Sequence, residues 1–176
     1  LIVFDWDGTL MDSEARIVNC LRAAVGDLEL PERSDNEFRN IIGLGLPEAI
    51  NTLYPGSAPD LHRDLTERYR YHYLVADDTP SVLFEGAEET VVALAEQGYF
   101  LAVATGKGRQ GLDKVLDETG MREHFHVTRC ADETCSKPNP QMLHEVMDFV
   151  GAEPGETLMI GDSEYDMLLA KNARTR

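Results

Sequence analysis

Four short apolar runs, separated by long polar or amphipathic stretches, restrict the folds open to this sequence more than any other feature. The runs are Leu1–Phe4, Phe100–Ala104, His126–Cys130 and Thr157–Ile160. Near-continuous apolar runs of this length are typical of strands buried on both faces of a parallel sheet. Stretches with helical spacing accompany the later runs: Glu85–Gln97, Arg109–Thr119, Pro140–Val150 and Glu164–Ala173. This alternation predicts an α/β fold, an open parallel sheet covered by helices on both faces.

The connection between the first two strands is too long for a single crossover helix. Helical spacing dominates it, and we expect no strand between Asp12 and Leu83. The helical stretches are Glu14–Leu28, Asn36–Ile42, Leu46–Leu53 and Asp60–Ala76, separated by the turn segments PERSD and YPGSAPD. The segment DDTPSV, residues 77–82, is interpreted as the linker that returns to the sheet. The sequence therefore predicts a core of residues 1–12 and 83–176, with a helical insertion at residues 13–82.

The net charge of −16 limits the ligands that the chain is expected to bind. Such strong negative charge disfavours nucleic acid and anionic membranes, and an anionic substrate would need local positive charge. No apolar run is long enough to cross a membrane, and no signal-peptide pattern is visible. Cys20, Cys130 and Cys135 form no metal-binding spacing, which favours a cytoplasmic location. We also expect a monomer or weak dimer, and a few missing residues before Leu1, because the chain begins without Met.

Polar motifs follow the ends of the predicted strands. DWDGT, with Asp5 and Asp7, follows the first strand, ATGK the second and GDSEYD the fourth, while CSKPNP lies just past the third. Residues i and i+2 point the same way in extended chain, so the carboxylates of Asp5 and Asp7 are expected to converge on one spot. In open parallel sheets, ligands bind beyond the carboxyl ends of the strands. We therefore expect all four motifs to meet in one crevice.

Taken singly, each motif residue has an ordinary structural explanation. An aspartate at a strand end commonly caps a helix or forms a turn, and Thr105 could cap the helix that follows it. A lone lysine such as Lys137 is usually solvated. Asp162 and Asp166 could flank a helix start, where negative charge is favoured. These explanations do not account for two carboxylates after the first strand, two more after the fourth, and a lysine between them.

Together, the acidic residues are typical of phosphoryl-transfer chemistry. Mg²⁺ prefers oxygen ligands, which the carboxylates of Asp5 and Asp162 and the backbone carbonyl of Asp7 could supply. Asp5 would then be placed for in-line attack on phosphorus. Asp7 could protonate the leaving oxygen and later accept a proton from the hydrolytic water.

The phosphate itself has three expected contacts. The Thr105 hydroxyl and the Gly106 amide, at a helix N-terminus, would hold the transferring phosphoryl group. Lys137 would add a positive charge beside the phosphate and Asp5. This set explains why a pair of neighbouring carboxylates is tolerated after a buried strand.

DWDGT, ATGK, SKPNP and GDSEYD, in this order, resemble the four signature motifs of the haloacid dehalogenase superfamily. The insertion after DGTLMDS resembles the helical cap of its phosphoglycolate-phosphatase-like branch. The resemblance implies a Rossmann-like core and a Mg²⁺-dependent phosphatase that acts on a small phosphorylated metabolite through an aspartyl phosphate. The implied residues are the nucleophile Asp5, the acid/base Asp7, the phosphate-binding Thr105 and Lys137, the metal-binding Asp162 and the supporting Asp166. The family's fifth strand has no counterpart after NARTR, so we expect a truncated chain or a missing tail.

Other functions stay open at this point. A phosphosugar mutase shares every core motif, and a non-catalytic interaction protein of the superfamily would retain them. GKGRQG, residues 106–111, fits the G-x-G-x-x-G fingerprint of an oxidoreductase, and Asp132 lies about twenty residues on. That fingerprint should follow the first strand, however, and it leaves the carboxylates unexplained. A signalling receiver uses similar chemistry in a different layout. A dehalogenase is set aside because Asp7 is present, and a phosphonate-cleaving enzyme because no lysine precedes Lys107.

The insertion is expected to select the substrate. The loop GLGLP, residues 43–47, could form an edge over the site or simply connect two helices. Tyr69 and Tyr73 lie four residues apart and are expected to pack within the insertion.

Overall fold

The computed structural model describes residues 1–176 and contains six strands and eight α-helices. The strands are β1 (Ile2–Phe4), β2 (Met11–Asp12), β3 (Val82–Leu83), β4 (Leu101–Thr105), β5 (Val127–Cys130) and β6 (Leu158–Ile160). The helices are α1 (Glu14–Asp27), α2 (Asp35–Arg39), α3 (Leu46–Leu53), α4 (Pro59–Tyr71), α5 (Ala87–Glu96), α6 (Arg109–Thr119), α7 (Gln141–Val150) and α8 (Glu164–Ala173). A π-helical turn, His72–Ala76, extends α4, and short 3₁₀ turns cover Met121–His124 and Pro154–Glu156.

The central sheet is parallel and has the strand order β5-β4-β1-β6. Its four strands are those that the sequence predicts, each within one residue of the expected bounds. After β1 the chain continues on one side of the sheet, to β4 and β5, and then crosses to the other side for β6. The strand order therefore reverses between β1 and β6, which is where ligands bind in open sheets of this kind. The predicted α/β fold is confirmed.

Both faces of the central sheet are buried, as the apolar runs predict. Ile2 and Phe4 of β1 pack in one cluster with residues of α5 and α6, including Val91 and Leu112. Val3, between them, packs on the opposite face with residues of α7 and α8, including Leu169. This alternation is the two-residue period of extended chain. Strand β1 is thus fixed from both sides, which fixes where the chain leaves the sheet.

The helices of the insertion have a hydrophobic cluster of their own. Its fully buried members include Leu21 of α1, Phe38 of α2, Ile50 of α3 and Leu65 of α4. Helix α2 begins with a capping box, in which Ser34 and Glu37 satisfy each other's backbone N–H groups. The division into a core (1–12 and 83–176) and a helical insertion (13–82) stays a prediction, and we use "the insertion" for residues 13–82.

The expectation of no strand between Asp12 and Leu83 is wrong at both ends of that segment. Strands β2 and β3 pair antiparallel, with Met11 opposite Leu83 and Asp12 opposite Val82. Two-residue strands are too short to show a period in sequence, and their pairing depends on the return of a distant segment. The DDTPSV linker therefore ends inside a small ribbon, which joins the entry and exit of the insertion.

None of the helices combines the length and the apolar character that a membrane crossing requires.

Candidate active site

The carboxyl ends of the parallel strands gather the predicted motifs at one edge of the sheet. Asp5 follows β1 directly, and Asp162 follows β6, on either side of the point where the strand order reverses. Thr105 ends β4, the other neighbour of β1. Lys137 comes from the loop between β5 and α7. The sheet thus brings groups from four separate motifs together.

Lys137 lies at the centre of this site and is almost completely buried. Its Nζ is 2.7 Å from Asp5 Oδ1 and donates a hydrogen bond of 2.6 Å to Asp166 Oδ1. Burial by itself would lower the pKa of Lys137, but the charges of Asp5 and Asp166 oppose it, and the net shift is upward. Lys137 is therefore a cation held between two buried carboxylates.

Asp5 is only 1% exposed, yet neither of its carboxylate oxygens accepts a hydrogen bond of good geometry. Lys137 approaches it as an ion pair only. Burial raises the pKa of Asp5 to about 7, against the opposing effect of Lys137. Buried carboxylate oxygens normally have hydrogen-bond donors, so Oδ2, which has none, is available to a ligand.

Three carboxylates converge beside Lys137. Asp5, Asp162 and Asp166 each offer an oxygen atom within 4.8 Å of the others. Both oxygens of Asp166 are already engaged, Oδ1 by Lys137 and Oδ2 by the hydroxyl and backbone N–H of Ser163. Asp162 is exposed and accepts one bond of 3.2 Å, from the Thr9 hydroxyl. Hard oxygen donors of this kind, with Asp5 Oδ2 unpartnered, fit Mg²⁺.

Two glycines make room for these carboxylates. A Cβ added at Gly161 would overlap Asp166, and one added at Gly8 would overlap Asp162. Gly8 also has a φ of +85°, a conformation that side chains disfavour. The DWDGT and GDSEYD motifs therefore need their glycines for close approach as well as their aspartates for charge.

Asp7 has contacts separate from those of Asp5. Its Oδ1 accepts a hydrogen bond of 2.6 Å from the Ser13 hydroxyl and lies 2.9 Å from Lys107 Nζ. Lys107 also donates to the Tyr73 hydroxyl of the insertion, at 2.9 Å. The side chains of Asp5 and Asp7 therefore face different lysines, and the Asp7 carboxylate lies outside the group of three. The two carboxylates thus face different cations, and their convergence on one spot stays a prediction.

The ATGK loop differs slightly from expectation. Helix α6 begins at Arg109, so Gly106 lies in the loop before the helix and not at its N-terminus. The Thr105 hydroxyl accepts a bond of 3.1 Å from the Lys107 backbone N–H, which forms a local turn that delays the helix. Thr105 is buried at the end of β4, which pairs with β1, the strand that Asp5 follows.

The GLGLP loop lies against the motif loops. The carbonyl oxygens of Gly43 and Leu44 would stand 2.5 and 2.6 Å from a Cβ at Gly106, so only glycine fits there. The Gly45 N–H donates to the Ser136 hydroxyl at 2.7 Å, next to Lys137. The sequence left open whether this loop forms an edge over the site or simply connects two helices. Its contacts with Gly106 and Ser136 favour the edge over the site.

Sequence reasoning missed the contacts that three side chains make around Asp7, those of Ser13, Lys107 and Tyr73. Ser13 and Lys107 lie within or beside the motifs, DGTLMDS and ATGK, but their contacts have no sequence signature. Tyr73 packs within the insertion as predicted, and its ring stacks on Tyr69 with 5.9 Å between centroids. Its hydroxyl also reaches Lys107, which a helical pattern alone does not reveal.

Comparison with known proteins identifies the family. Residues 2–176 match the family of haloacid dehalogenase-like hydrolases. The chain belongs to this family. The predicted superfamily and the predicted enzyme class, a phosphatase of the haloacid dehalogenase type, are confirmed, and the relatives described next are named as phosphatases.

Two curated relatives and one solved structure illustrate the similarity of this haloacid dehalogenase-like hydrolase to other proteins. "Probable phosphatase IndB" of Dickeya dadantii is 33% identical, over 98% of this chain and 77% of the relative. The phosphoglycolate phosphatase of Vibrio vulnificus is 31% identical, over 98% of this chain and 79% of the relative. A haloacid dehalogenase-like hydrolase from Bacteroides fragilis is 26% identical and superimposes with a TM-score of 0.91, over 99% of this chain and 83% of that chain.

The dinucleotide fingerprint has a structural explanation in this hydrolase. The Asp132 carboxylate accepts a bond of 2.9 Å from the Arg109 N–H at the start of α6, and it lies 3.4 Å from Arg70. The acidic residue that would bind a ribose is thus used to cap a helix. The first glycine of GKGRQG, Gly106, is needed because the loop at residues 43–44 packs too closely on it for a side chain.

Proposed function

We propose that the chain hydrolyses a small phosphate monoester, with Mg²⁺ as cofactor, through an aspartyl phosphate formed on Asp5. The observation that carries this proposal is the burial and incomplete hydrogen bonding of the Asp5 carboxylate. Its carboxylate is buried at the reversal point of the sheet, beside Asp162. Lys137 Nζ lies 2.7 Å from Oδ1, and Oδ2 has no hydrogen-bond partner. A purely structural buried carboxylate would be expected to have donors to both oxygens.

The proposed Mg²⁺ ligands are the carboxylates of Asp5 and Asp162, with the backbone carbonyl of Asp7. Asp166 has a supporting role, because its oxygens hold Lys137 and the start of α8. When bound, Mg²⁺ supplies positive charge that offsets the phosphate oxygens and favours the ionised form of Asp5.

In the first step, Thr105, Gly106 and Lys137 hold the phosphoryl group against Asp5. A carboxylate oxygen of Asp5 forms a bond to phosphorus as the bond to the ester oxygen breaks. Asp7 donates its proton to the departing oxygen, which leaves as an alcohol. The products of this step are the alcohol and the aspartyl phosphate.

In the second step, water attacks the phosphorus of the aspartyl phosphate and Asp7 accepts its proton. Inorganic phosphate leaves and the Asp5 carboxylate is regenerated. Ser13 and Lys107 both contact Oδ1 of Asp7, which orients the carboxylate and leaves Oδ2 for proton transfer. The same group serves as acid and then as base, so no other proton carrier is needed.

The insertion is proposed to exclude stray water from the intermediate. Its loop at residues 43–45 contacts the ATGK loop and Ser136, and the β2–β3 ribbon joins it to the core. Closure over a bound phosphate and reopening for product release would follow from bending at this ribbon. The cytoplasmic location and the monomeric or weakly dimeric state stay predictions.

The test is hydrolysis of p-nitrophenyl phosphate with Mg²⁺, followed by release of inorganic phosphate. Asp5→Asn should abolish release while the circular dichroism spectrum is unchanged, because the amide keeps the shape but not the nucleophile. Asp12→Asn is the matched control, since Asp12 is exposed outside the site, and should retain full activity. EDTA should abolish activity and added Mg²⁺ restore it.

More than a trace of activity in Asp5→Asn would contradict the nucleophile, and full activity in EDTA would contradict the metal. A mutase would transfer the phosphoryl group to a sugar acceptor instead of releasing inorganic phosphate.

A further inference from the structure

A cavity of about 370 Å³ lies between the insertion and the core. On the core side it is lined by Asp7 and by the loop and helix start at residues 106–111. On the insertion side it is lined by residues of α1, α3, α4 and the loop between α2 and α3. Its size falls within the usual range of small-molecule sites, about 300–1,000 Å³.

The position of Asp7 indicates which cavity receives the leaving group. A general acid must lie within hydrogen-bond reach of the oxygen it protonates. Asp7 lines the 370 Å³ cavity, whereas a second cavity of about 280 Å³, beside Asp162 and Ser163, does not include it. If Asp7 is the acid, the alcohol part of the substrate occupies the larger cavity.

The wall of the larger cavity is strongly apolar on the insertion side. Half of its 20 lining residues are hydrophobic. Those that the insertion contributes with partly exposed side chains are Ile42, Leu44, Leu46, Tyr69 and Leu74. A small polar alcohol would leave this surface in contact with water, whereas an apolar one would cover it.

Every cation that lines the larger cavity is already paired with a carboxylate of this chain. Lys107 Nζ lies 2.9 Å from Asp7, Arg70 lies 3.4 Å from Asp132, and Arg109 lies 2.7 Å from Glu133. A second anionic group on the substrate would therefore have to compete with these carboxylates for a cation. It would also approach Asp7 and Asp132, which line the same cavity and repel it.

We propose that the substrate is a phosphate monoester of an apolar or aromatic alcohol, with the phosphate as its only anionic group. This inference rests on the proposed phosphatase function and on Asp7 as the acid. It excludes a phosphorylated carboxylic acid, such as the one named for the Vibrio vulnificus relative, and a diphosphate as preferred substrates.

The first experiment measures binding, so that it does not depend on turnover. Ethyl, butyl and hexyl phosphate, 2-phosphoglycolate and pyrophosphate are titrated calorimetrically into the Asp5→Asn variant with Mg²⁺. The alkyl series changes apolar area at constant charge. Burial of each methylene should tighten binding about fourfold, so hexyl phosphate, with four more methylenes, should bind about 250-fold more tightly than ethyl phosphate. Neither 2-phosphoglycolate nor pyrophosphate should bind more tightly than ethyl phosphate.

The second experiment adds a free cation to the cavity. Leu46→Lys should raise the affinity for 2-phosphoglycolate relative to hexyl phosphate, while Leu46→Met, the matched control, should keep the wild-type order. Leu44→Lys serves the same purpose if Leu46→Lys does not fold, because Leu44 lines the same cavity.

Hydrolysis of p-nitrophenyl phosphate by the wild-type protein, measured in parallel, separates the two proposals. Tighter binding of 2-phosphoglycolate or pyrophosphate than of hexyl phosphate would overturn the substrate inference, and activity would leave the phosphatase proposal standing. Preference for hexyl phosphate without any hydrolysis would overturn the proposed function, and with it the identification of the ligand as a substrate.

Discussion

Lys107 Nζ lies 2.9 Å from Asp7 Oδ1, so the second of the two neighbouring aspartates has a buried cation of its own. Asp5, two residues earlier, faces Lys137 at 2.7 Å. Lys137 is already shared with Asp166, so a third buried carboxylate on the same lysine would be costly. Separate lysines allow both to remain in the site. Burial by itself would lower the pKa of Lys107, but Asp7 and Tyr73 oppose it and the net shift is upward, so Lys107 stays charged.

Replacement of Lys107 by Gln should destabilise the protein by about 3–5 kcal/mol, because Asp7 would stay buried without its cation. Urea denaturation at pH 7 measures this change. Lys114→Gln is the control, since it removes a cation that pairs with Glu118 on the surface of α6, and should cost about 0.5 kcal/mol or less. Equal small losses in both variants would show that the Lys107 pair adds little stability.

Replacement of Asp7 by Asn should slow hydrolysis in a way that depends on the leaving group. Alkyl phosphates need a proton on the departing oxygen and should lose about 10²- to 10⁴-fold in kcat. p-Nitrophenyl phosphate barely needs this proton and should lose much less in its first step, which burst kinetics of p-nitrophenolate release would measure. Ser13→Ala, which removes only an orienting hydrogen bond, should have a smaller effect. An equal loss for both leaving groups would argue against Asp7 as the acid.

Replacement of Gly161 by Ala should reduce kcat at least tenfold, because the new Cβ would overlap Asp166 and displace it from Lys137. Steady-state kinetics with p-nitrophenyl phosphate measures the loss. Gly26→Ala, in α1 with no atom within 4 Å of the added Cβ, should leave kcat unchanged and stabilise the helix by about 0.5–1 kcal/mol. Wild-type activity in Gly161→Ala would mean that the position of Asp166 has little influence on the reaction.

A disulfide between positions 12 and 82 should lower kcat if the insertion opens and closes during turnover. Asp12 and Val82 are directly opposite in the β2–β3 ribbon, at a separation that antiparallel pairing makes suitable for a disulfide. The double variant Asp12→Cys, Val82→Cys is made with Cys135→Ser, because Cys135 is an exposed thiol. Oxidation should lower kcat and dithiothreitol should restore it. Identical rates in the two states would show that bending at this ribbon is not needed for turnover.

The sequence was sufficient to predict the central sheet, because its strands are buried on both faces and leave uninterrupted apolar runs. Helices α3, α6 and α8 begin and end at the predicted residues, since capping residues, glycines and prolines mark their ends. The ribbon of β2 and β3 escaped prediction, because two residues per strand carry no periodicity. Its pairing depends on where the insertion returns.

The site was predictable to the extent that strand ends determine it. Asp5 and Asp162 follow neighbouring strands, so their proximity follows from the sheet alone. The pairing of Lys107 with Asp7 and Tyr73 was not predictable, because side-chain direction in a loop depends on the tertiary contacts of the insertion. The same is true of the contact between Gly106 and the 43–45 loop.

The position of β1 between β4 and β6 has a consequence for how a scaffold of this kind can change its specificity. Adjacent strands are held about 4.8 Å apart by their backbone hydrogen bonds, whatever side chains they carry. The distances between Asp5, Thr105 and the residues after Ile160 are therefore set by the backbone pairing of the three strands. Substitutions in α1, α3 or α4 can reshape the wall that faces the alcohol without altering those distances. The geometry at phosphorus and the choice of alcohol can thus vary independently.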